Sequence, residues 1–488
     1  MEKSDIETGR AADGYGAYAS PKIDGLHDGD DARPVQGASV LKLMLISIPR
    51  LAIQMTWSAQ FAALGPYLGT MLPNYAVQLT QFIGPICGIF IGPTIGVFSD
   101  RSTNKLGRRR PFLIYASIAS VICWILMGYT RQMGEALGDY GTGQAGEPTS
   151  RTWTTLFAVL LYAWMDITVN VVQTPTYLFI ADFAGDRQTL GASIGQGWSL
   201  VGSVFVAGYI YLFGAAHKTL RSFLWMLSGV MMVTVLIACI AGKETPIKKD
   251  VNDRTTGLQQ VKAAFGAIIH ALKTLPKTLM VYCIVFFCIG YGFTAYNGNK
   301  GQFFGFEVYD GVALGSDSCG SGSNPPCTEG QEAYNKGVSL AGGSTDLMFN
   351  IVGYLYTWAV PFLVKKFGAK NVLIGSFLPQ CLLMVMAFTK NVTIDVFIVV
   401  ITTVTQSVVF ALLVPIIVHV MGNEIDIGVY VGALNSAQCF GQLLNFAVGS
   451  AVVETSFGYK LPVFLGGAFT LIGVFITIFF LKLKMYSM

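Results

Sequence analysis

Four polar side chains within one apolar stretch are spaced so that they could act together. Asp166, Asn170, Gln173 and Tyr177 lie in residues 154–182, which are otherwise mostly apolar. In a helix, which turns about 100° per residue, the last three fall within about 40° of the first. A carboxylate, two amides and a phenol then share one face. Because unpaired polar groups facing lipid cost several kcal/mol each, we predict that this face lines a partner helix or a watery cavity.

The carboxylate is the group in this stripe that could carry a proton. An ionisable residue in the middle of a long apolar segment is costly to bury and marks function by default. We therefore predict that Asp166 couples proton movement to the movement of a solute. The alternative is a purely structural ion pair. Arg50 lies near one end of the first apolar segment, and we expect its long side chain to reach the headgroup region.

Two other apolar segments repeat the combination of amides with other polar or aromatic side chains. The first carries Gln54, Trp57 and Gln60, and the eleventh carries Asn435 and Gln438. Amides donate to and accept from hydroxyl groups, and ring faces stack on the apolar C–H side of a sugar. The set predicts a site for a polyhydroxylated solute. The alternative for each amide is a hydrogen bond between helices, and for each ring ordinary packing.

The composition of the whole chain indicates a membrane setting for these stripes. Of 488 residues, 32 are Lys or Arg and 28 are Asp or Glu, so 12% are charged, while 53% are apolar. Soluble domains average about 25% charged residues. This composition argues against a soluble enzyme, a disordered protein and a nucleic-acid binder, and it predicts a polytopic membrane protein.

Apolar runs long enough to cross a bilayer core of about 30 Å recur along the chain. We place twelve spans near residues 43–69, 75–98, 112–130, 154–182, 191–214, 222–242, 278–298, 345–364, 371–389, 395–421, 429–453 and 461–481. The runs are much longer than the roughly 10-residue strands of a membrane barrel. The predicted fold class is an all-α membrane protein with twelve transmembrane helices in two six-helix halves.

Polar stretches divide the predicted spans into domains. Residues 1–42 are polar and Gly-rich, which predicts a disordered cytoplasmic tail. A cytoplasmic linker, 243–277, separates an N-terminal six-helix half, 43–242, from a C-terminal six-helix half, 278–488. The second half contains a long outer loop, 299–344.

The distribution of basic residues predicts the orientation, because Lys and Arg favour the cytosolic side of a membrane. With both termini in the cytosol, the inner segments hold 23 of the 32 basic residues and the outer loops hold 8. Loop 299–344 then lies outside, where an oxidising compartment would permit a disulfide between Cys319 and Cys327. We expect the plasma membrane rather than an internal membrane.

A charged cluster follows the second span, reading GVFSDR at 96–101 and GRRRP at 107–111. A carboxylate at one helix end and basic residues before the next helix can lock two helices in one state. The predicted cytoplasmic gate consists of Asp100, Arg101, Gly107, Arg108, Arg109 and, at the inner end of the fourth span, Asp182. The alternative is that the basic residues only set the topology.

These motifs resemble the major facilitator superfamily, whose loop motif is similar to residues 96–110 between the second and third of six plus six spans. The fuller pattern resembles its sucrose/proton symporter branch, which includes plant sucrose carriers and their animal and fungal relatives. This resemblance extends over roughly residues 45–480. It is carried by the first-span and fourth-span residues above, together with Pro66-Tyr67, Pro175, Asp182, Tyr334-Asn335, Asn350 and Gly432-x-Leu434-Asn435.

The resemblance implies proton-coupled symport of sucrose or a related glucoside, with two halves that alternate access to a midplane site. It implies that Asp166 carries the coupling proton and that Asn350 joins the solute-binding residues. Plant members carry an Arg at the position of Tyr177 and an Asp-Thr-Asp-Trp run at residues 300–303. The roles of Tyr177 and Lys300 are therefore not given by the resemblance.

Other function classes stay open at this point. An uncoupled facilitator for a sugar or another small polar solute would have the same architecture. A receptor would need signalling content in 1–42 or 243–277, and neither shows any. An enzyme is not expected, because no metal cluster, nucleophile elbow or phosphate-binding loop is present. The expected partners are a sugar, a proton as the coupling ion and the lipid bilayer, with no cofactor, metal or nucleic acid; the oligomeric state is not defined.

Overall fold

The computed structural model describes residues 36–143, 147–244, 246, 256–322, 324–422 and 427–486. Most of the predicted tail 1–42, and residues 245 and 247–255 of the predicted linker, lie outside these ranges. Within them the chain is mainly helical, with a single isolated antiparallel bridge between Tyr140 and Ser150.

Twelve long helices account for most of the described chain. They are α1 Val40–Gly69, α2 Asn74–Asp100, α3 Arg110–Gly128, α4 Thr152–Ala184, α5 Gln188–Phe213, α6 Leu220–Ala241, α7 Lys277–Asn297, α8 Glu329–Phe367, α9 Ala369–Met386, α10 Val392–Met421, α11 Ile427–Val452 and α12 Lys460–Phe479. In the described ranges, 11 of them are both long and apolar enough to cross a membrane. The other, α11, has 26 residues, but its amides lower its hydropathy. The predicted all-α membrane fold is confirmed.

One boundary differs strongly from its prediction. Helix α8 begins at Glu329, well before the predicted residue 345, so part of the predicted outer loop is helical. The reason is a capping box. The side chain of Thr328 accepts from the backbone N–H of Gln331, and the side chain of Gln331 accepts from the backbone N–H of Thr328. Short helical segments, Lys300–Gln302 and Phe303–Val308, also continue beyond α7.

Each group of six helices has its own buried core. The core of α1–α6 includes Trp124 and Phe223, and the core of α7–α12 includes Tyr282 and Phe377. A linker helix, Gly257–Thr274, lies between the groups in sequence and packs against α2, where the ring of Phe265 lies 5.9 Å from that of Phe90.

Three π-helical segments lie within or directly after the long helices. They are Gln60–Leu64 in α1, Phe303–Val308 after α7, and Ala341–Thr345 in α8. Such segments occur frequently at functional sites, since they change the facing of the residues that follow. The first of them begins at Gln60, a residue of the predicted solute site.

The two halves touch at one end of the bundle. We call the end that carries residues 299–344 the loop face, and the end that carries residues 243–277 the linker face. At the loop face, the backbone N–H of Tyr75 donates to the carboxylate of Glu454 at 3.0 Å, and the Gln78 side chain donates to Asn299. Helix α5 also packs against the middle of α8, where Gly342 and Gly343 face Ile210 and Tyr211. The described state is therefore closed at the loop face.

Candidate functional site

Asp166 is buried within the first half. It is 0% exposed, and neither carboxylate oxygen has a hydrogen-bond partner among the described residues. Gln60 lies beside it, close enough to interact, but its amide nitrogen donates to the hydroxyl of Tyr162 at 2.6 Å. Gly84 of α2 makes room for this arrangement, because a Cβ there would lie 3.4 Å from both Oδ1 of Asp166 and Nε2 of Gln60.

Other members of the predicted site pair with each other. The indole N–H of Trp57 in α1 donates to Oε1 of Gln173 in α4 at 2.6 Å. Asn170 is buried and donates to the backbone carbonyl of Asp166 at 2.8 Å. The structure thus brings the predicted site residues of the first and fourth spans together. It also holds the side chain of Asn170 against the backbone of Asp166.

Tyr177 lies toward the linker face and is 41% exposed. The guanidinium of Arg50 lies 4.5 Å from the centre of its ring, within the range of a cation–π contact. Arg50 also donates to Oε1 of Gln196 at 2.9 Å and to Oγ of Ser199 at 3.2 Å, both in α5. Arg50 therefore contacts both α4 and α5 within the first half, and its reach to the headgroup region stays a prediction.

The remaining predicted solute residues are spread more widely. Gln54 lies against Gly202 of α5, where a Cβ added to the glycine would be 3.3 Å from Cβ of Gln54. Gln438 lies against Gly290 of α7, where an added Cβ would be 2.8 Å from Cγ of Gln438. Asn350 donates to the backbone carbonyl of Asp346 at 2.7 Å.

Asn435 is exposed, and its amide approaches the sulfur of Cys439 at 3.9 Å. Among the described residues, no hydrogen bond joins Asn350, Asn435 or Gln438 to the stripe of Asp166. The second-half candidates and the first-half candidates are therefore separate in this closed state.

Sequence reasoning missed a set of buried amides near the loop face. Gln78 and Gln81 of α2, Asn299 and Gln302 after α7, and Asn445 of α11 are all fully or almost fully buried. The signal was available for four of them, since Gln78 and Gln81, and Asn299 and Gln302, are each three residues apart and so lie on neighbouring positions of one helical face.

The predicted gate residues form a cluster at the linker face. Arg108 pairs with Asp182 at 2.6 Å, and the buried Arg109 pairs with Asp182 at 3.2 Å and also with Asp100. These pairs join α2, α3 and α4, all in the first half. Arg101 lies beside the cluster, half-buried at the end of α2.

Glu244, just after α6, is a member of this cluster that the sequence did not single out. Its carboxylate accepts from the backbone N–H groups of Arg109 and Arg110 at 2.9 and 3.0 Å, at the start of α3, where the helix dipole favours an anion. Burial raises the pKa of Glu244, and those two hydrogen bonds oppose the shift. Gly107 has a φ of +107°, and a Cβ there would lie 2.4 Å from Cβ of Glu244, so glycine is required.

The loop face holds ion pairs that cross between the halves. Arg131 and Arg151 of the first half donate to the two oxygens of Asp317 at 3.1 and 3.0 Å. A disulfide joins Cys319 and Cys327 in the same loop. This loop is therefore fixed both by a covalent bond and by charges on the opposite half.

His217, between α5 and α6, adds a second cross-half contact. Its Nε2 lies 2.7 Å from Oδ1 of Asn335, and its ring packs edge-on against Tyr334 of α8. Burial lowers the pKa of His217 from its ordinary value to about 4. The imidazole is therefore neutral at physiological pH when the loop face is closed.

Residues 45–297, just over half of the chain, match the family model described as MFS/sugar transport protein. The chain belongs to this family. The resemblance predicted from the motifs is thereby confirmed, and the chain is a multi-pass integral membrane transporter rather than an enzyme.

Individual relatives and structures agree with membership of the MFS/sugar transport family. The chain is 27% identical over 386 residues to sucrose transport protein SUT5 of Oryza sativa subsp. indica, covering 73% of this chain and 68% of the relative. It is 25% identical over 371 residues to sucrose transport protein SUT1 of Oryza sativa subsp. japonica, covering 71% and 66%.

Two solved structures share the fold of this transporter. A D-xylose-proton symporter superposes with a TM-score of 0.59 at 13% identity, covering 91% of this chain and 98% of the other. The nucleoside transporter NupG superposes with a TM-score of 0.55 at 15% identity, covering 91% and 99%.

Proposed function

We propose that this transporter is a proton-coupled symporter that moves sucrose or a related glucoside by alternating access of its two halves. The observation that carries the proposal is Asp166, a buried carboxyl group that has no hydrogen-bond partner among the described residues and lies beside Gln60 within the first half. The names of the relatives SUT5 and SUT1 support sucrose as the solute.

The proposed cycle uses the buried carboxyl as a proton carrier. An unpaired charge is costly to bury, so the closed site favours the protonated carboxyl over the carboxylate. When one face opens, water reaches Asp166 and a proton binds or leaves. The solute then binds to the neutral form through the hydroxyl-binding side chains around it, namely Gln54, Trp57, Gln60, Asn170, Gln173 and Tyr177 from the first half.

The second half completes the solute site in this proposal. Asn350, Asn435 and Gln438 would approach the solute when the halves rock toward each other at the linker face. Trp57 and Gln173 would exchange their mutual hydrogen bond for bonds to solute hydroxyls, which costs little because one hydrogen bond replaces another.

The proposed orientation follows from the basic residues. Both termini and the linker face would lie in the cytosol, and the loop face would lie outside the plasma membrane. The described state would then be closed to the outside. The cluster of Asp100, Arg108, Arg109 and Asp182 would act at the cytoplasmic face as the gate.

The test is uptake of radiolabelled sucrose into proteoliposomes, with and without an inward proton gradient. We expect the wild type to accumulate sucrose above equilibrium and to lose accumulation with a protonophore. Asp166→Asn should abolish accumulation while sucrose exchange continues, because a neutral amide cannot carry the proton. Asp395→Asn is the matched control, since this second carboxyl is also buried but accepts a hydrogen bond from Thr389.

Two results would overturn the proposal. Normal accumulation by Asp166→Asn would remove this residue from coupling. Uptake by the wild type that reaches equilibrium but never exceeds it, whatever the gradient, would identify an uncoupled facilitator instead.

A further inference from the structure

Two glutamines from opposite halves of the molecule meet beside α1. Gln81 of α2 and Gln302 after α7 are both 0% exposed, and the oxygen and the nitrogen of each amide lack a hydrogen-bond partner among the described residues. Both amide nitrogens converge on Gly65 of α1, where a Cβ would lie 3.1 Å from Nε2 of Gln81 and 3.4 Å from Nε2 of Gln302. The two amides therefore flank one point on the interface between the halves.

This point lies about one helical turn from Asp166, on the side of the loop face. Gln81 precedes Gly84 by three residues on α2, and Gly84 is the position that faces both Asp166 and Gln60. Helix α2 begins at the loop face, so Gln81 lies on the approach from that face. Oε1 of Gln60, next along this approach, also lacks a partner among the described residues.

Packing does not account for these amides. A buried polar group without a partner is costly, and native proteins leave few of them. Two other buried amides of the chain are paired: Gln406 donates to Gln380 at 2.9 Å, and Gln380 donates to Thr470 at 2.8 Å. Each free amide offers two donors and one acceptor oxygen, which is the set that hydroxyl groups match.

We propose that Gln81 and Gln302 form a hydroxyl-binding subsite, which takes one ring of a polyhydroxylated solute on its way between the loop face and Asp166. In the closed state, the hydrogen bond from Gln78 to Asn299 holds the halves together, and both amides lie against Gly65. Separation of the halves at the loop face exposes both amides to the solute. The inference rests on the proposed function and names two further residues that recognise the solute.

The test compares sucrose with analogues that each lack one hydroxyl group, presented at the loop face. In the wild type, we expect one or more analogues to show a KM about tenfold above that of sucrose, equivalent to about 1.4 kcal/mol. In Gln81→Leu or Gln302→Leu, the KM for sucrose should rise by about tenfold, and the penalty for the same analogue should disappear. Leucine fills a similar volume and needs no partner, so the unfolding temperature should stay level or rise.

Gln380→Leu is the matched control, a buried amide that is paired. This variant should unfold at a lower temperature, because Gln406 and Thr470 lose their partner, while its KM values for sucrose and every analogue stay near those of the wild type. If either leucine variant fails to reach the membrane, Gln81→Asn and Gln302→Asn keep the amide on a shorter side chain and should give an intermediate rise in KM.

The outcomes separate the two proposals. Unchanged KM values in the variants, or a rise that is equal for sucrose and for every analogue, would overturn the subsite while leaving sucrose transport intact. If the wild type moves neither sucrose nor any analogue, the proposed function fails, and the subsite fails with it.

Discussion

Two buried polar side chains in the middle of long helices, one in each half of the molecule, differ in their hydrogen bonding. Asp166 in α4 and Gln406 in α10 each lie fourteen residues after the first residue of their helix. Gln406 donates to Gln380, which donates in turn to a hydroxyl of α12 and a backbone carbonyl of α7. Asp166 has no such partner among the described residues.

This difference assigns different tasks to the halves. A chain of satisfied amides fixes the packing of α7, α9, α10 and α12, because breaking any bond in it strands another polar group. A carboxyl group without a hydrogen-bond partner does not stabilise the first half in this way. The paired amides therefore hold the second half together, while Asp166 in the first half has no such partner among the described residues.

The largest expected effect comes from replacing the carboxyl group of α4 by an amide, the group that α10 carries. Asp166→Asn places an amide in both helices, and we expect the accumulation ratio for sucrose to fall to one. Exchange of labelled for unlabelled sucrose should persist and lose its dependence on pH, measured across a pH series. Exchange that stays as pH-dependent as in the wild type would show that another group carries the proton.

The next effect comes from breaking the paired chain in the second half. Gln406→Ala leaves Oε1 of Gln380 without its donor, and we expect the protein to lose about 1–3 kcal/mol of stability. The double variant Gln380→Leu with Gln406→Leu should recover part of this loss, because no amide is left stranded. Thermal unfolding in detergent measures both, and the accumulation ratio should be unchanged in each.

A smaller effect is expected where the halves meet at the loop face. Asp317→Asn weakens the ion pairs to Arg131 and Arg151, which cross between the halves, so the closed state should lose about tenfold in population, or about 1.4 kcal/mol. Labelling of a cysteine placed beneath the loop reports the opening. Lys390→Gln removes an exposed pair with Asp310 that lies within the second half, and it should leave this labelling unchanged.

The smallest effect at neutral pH is expected at His217. Its pKa is about 4 in the closed state and about 6.5 when exposed, so the closed state binds fewer protons between these values. The population of the closed state should therefore fall as the pH at the loop face falls from about 6.5 to about 4. Below about pH 4 it should not fall further on account of this residue.

The groups that face this imidazole are Asn335, Ser316, Tyr334, Asp317 and Lys218, and only the last two carry charge there. His217→Gln keeps a hydrogen bond to Asn335 and should resemble the wild type at neutral pH, with a flatter response to acid. The same labelling assay measures this, and an unchanged acid response would assign it to another group.

Much of the fold could be predicted because hydropathy and charge are local properties of the chain. The bilayer selects long apolar helices, so their number, the position of Asp166 near the middle of one of them, and the motif at 96–110 all follow from the residue order. The early start of α8 at Glu329 was missed, although its capping box is also a local signal. In that segment, the Gly and Ser content had suggested an irregular loop.

Much of the candidate site depends on contacts that no single helix determines. The bond from Trp57 to Gln173, the ring contact of Arg50 with Tyr177, and the position of Gln60 beside Asp166 each join segments that are distant in sequence. A helical stripe shows which side chains share a face, but the rotation of each helix against its neighbours is set by packing.

Sequence by itself determined that this is a twelve-helix membrane transporter with one carboxyl group deep in its fourth helix. Tertiary structure alone decided that this carboxyl group has no partner among the described residues, that Gln81 and Gln302 meet from opposite halves, and that the loop face is closed by Arg131, Arg151 and Asp317. The physical reason is that burial in lipid acts on each helix separately, whereas hydrogen-bond partners and ion pairs depend on which surfaces the folded halves bring into contact.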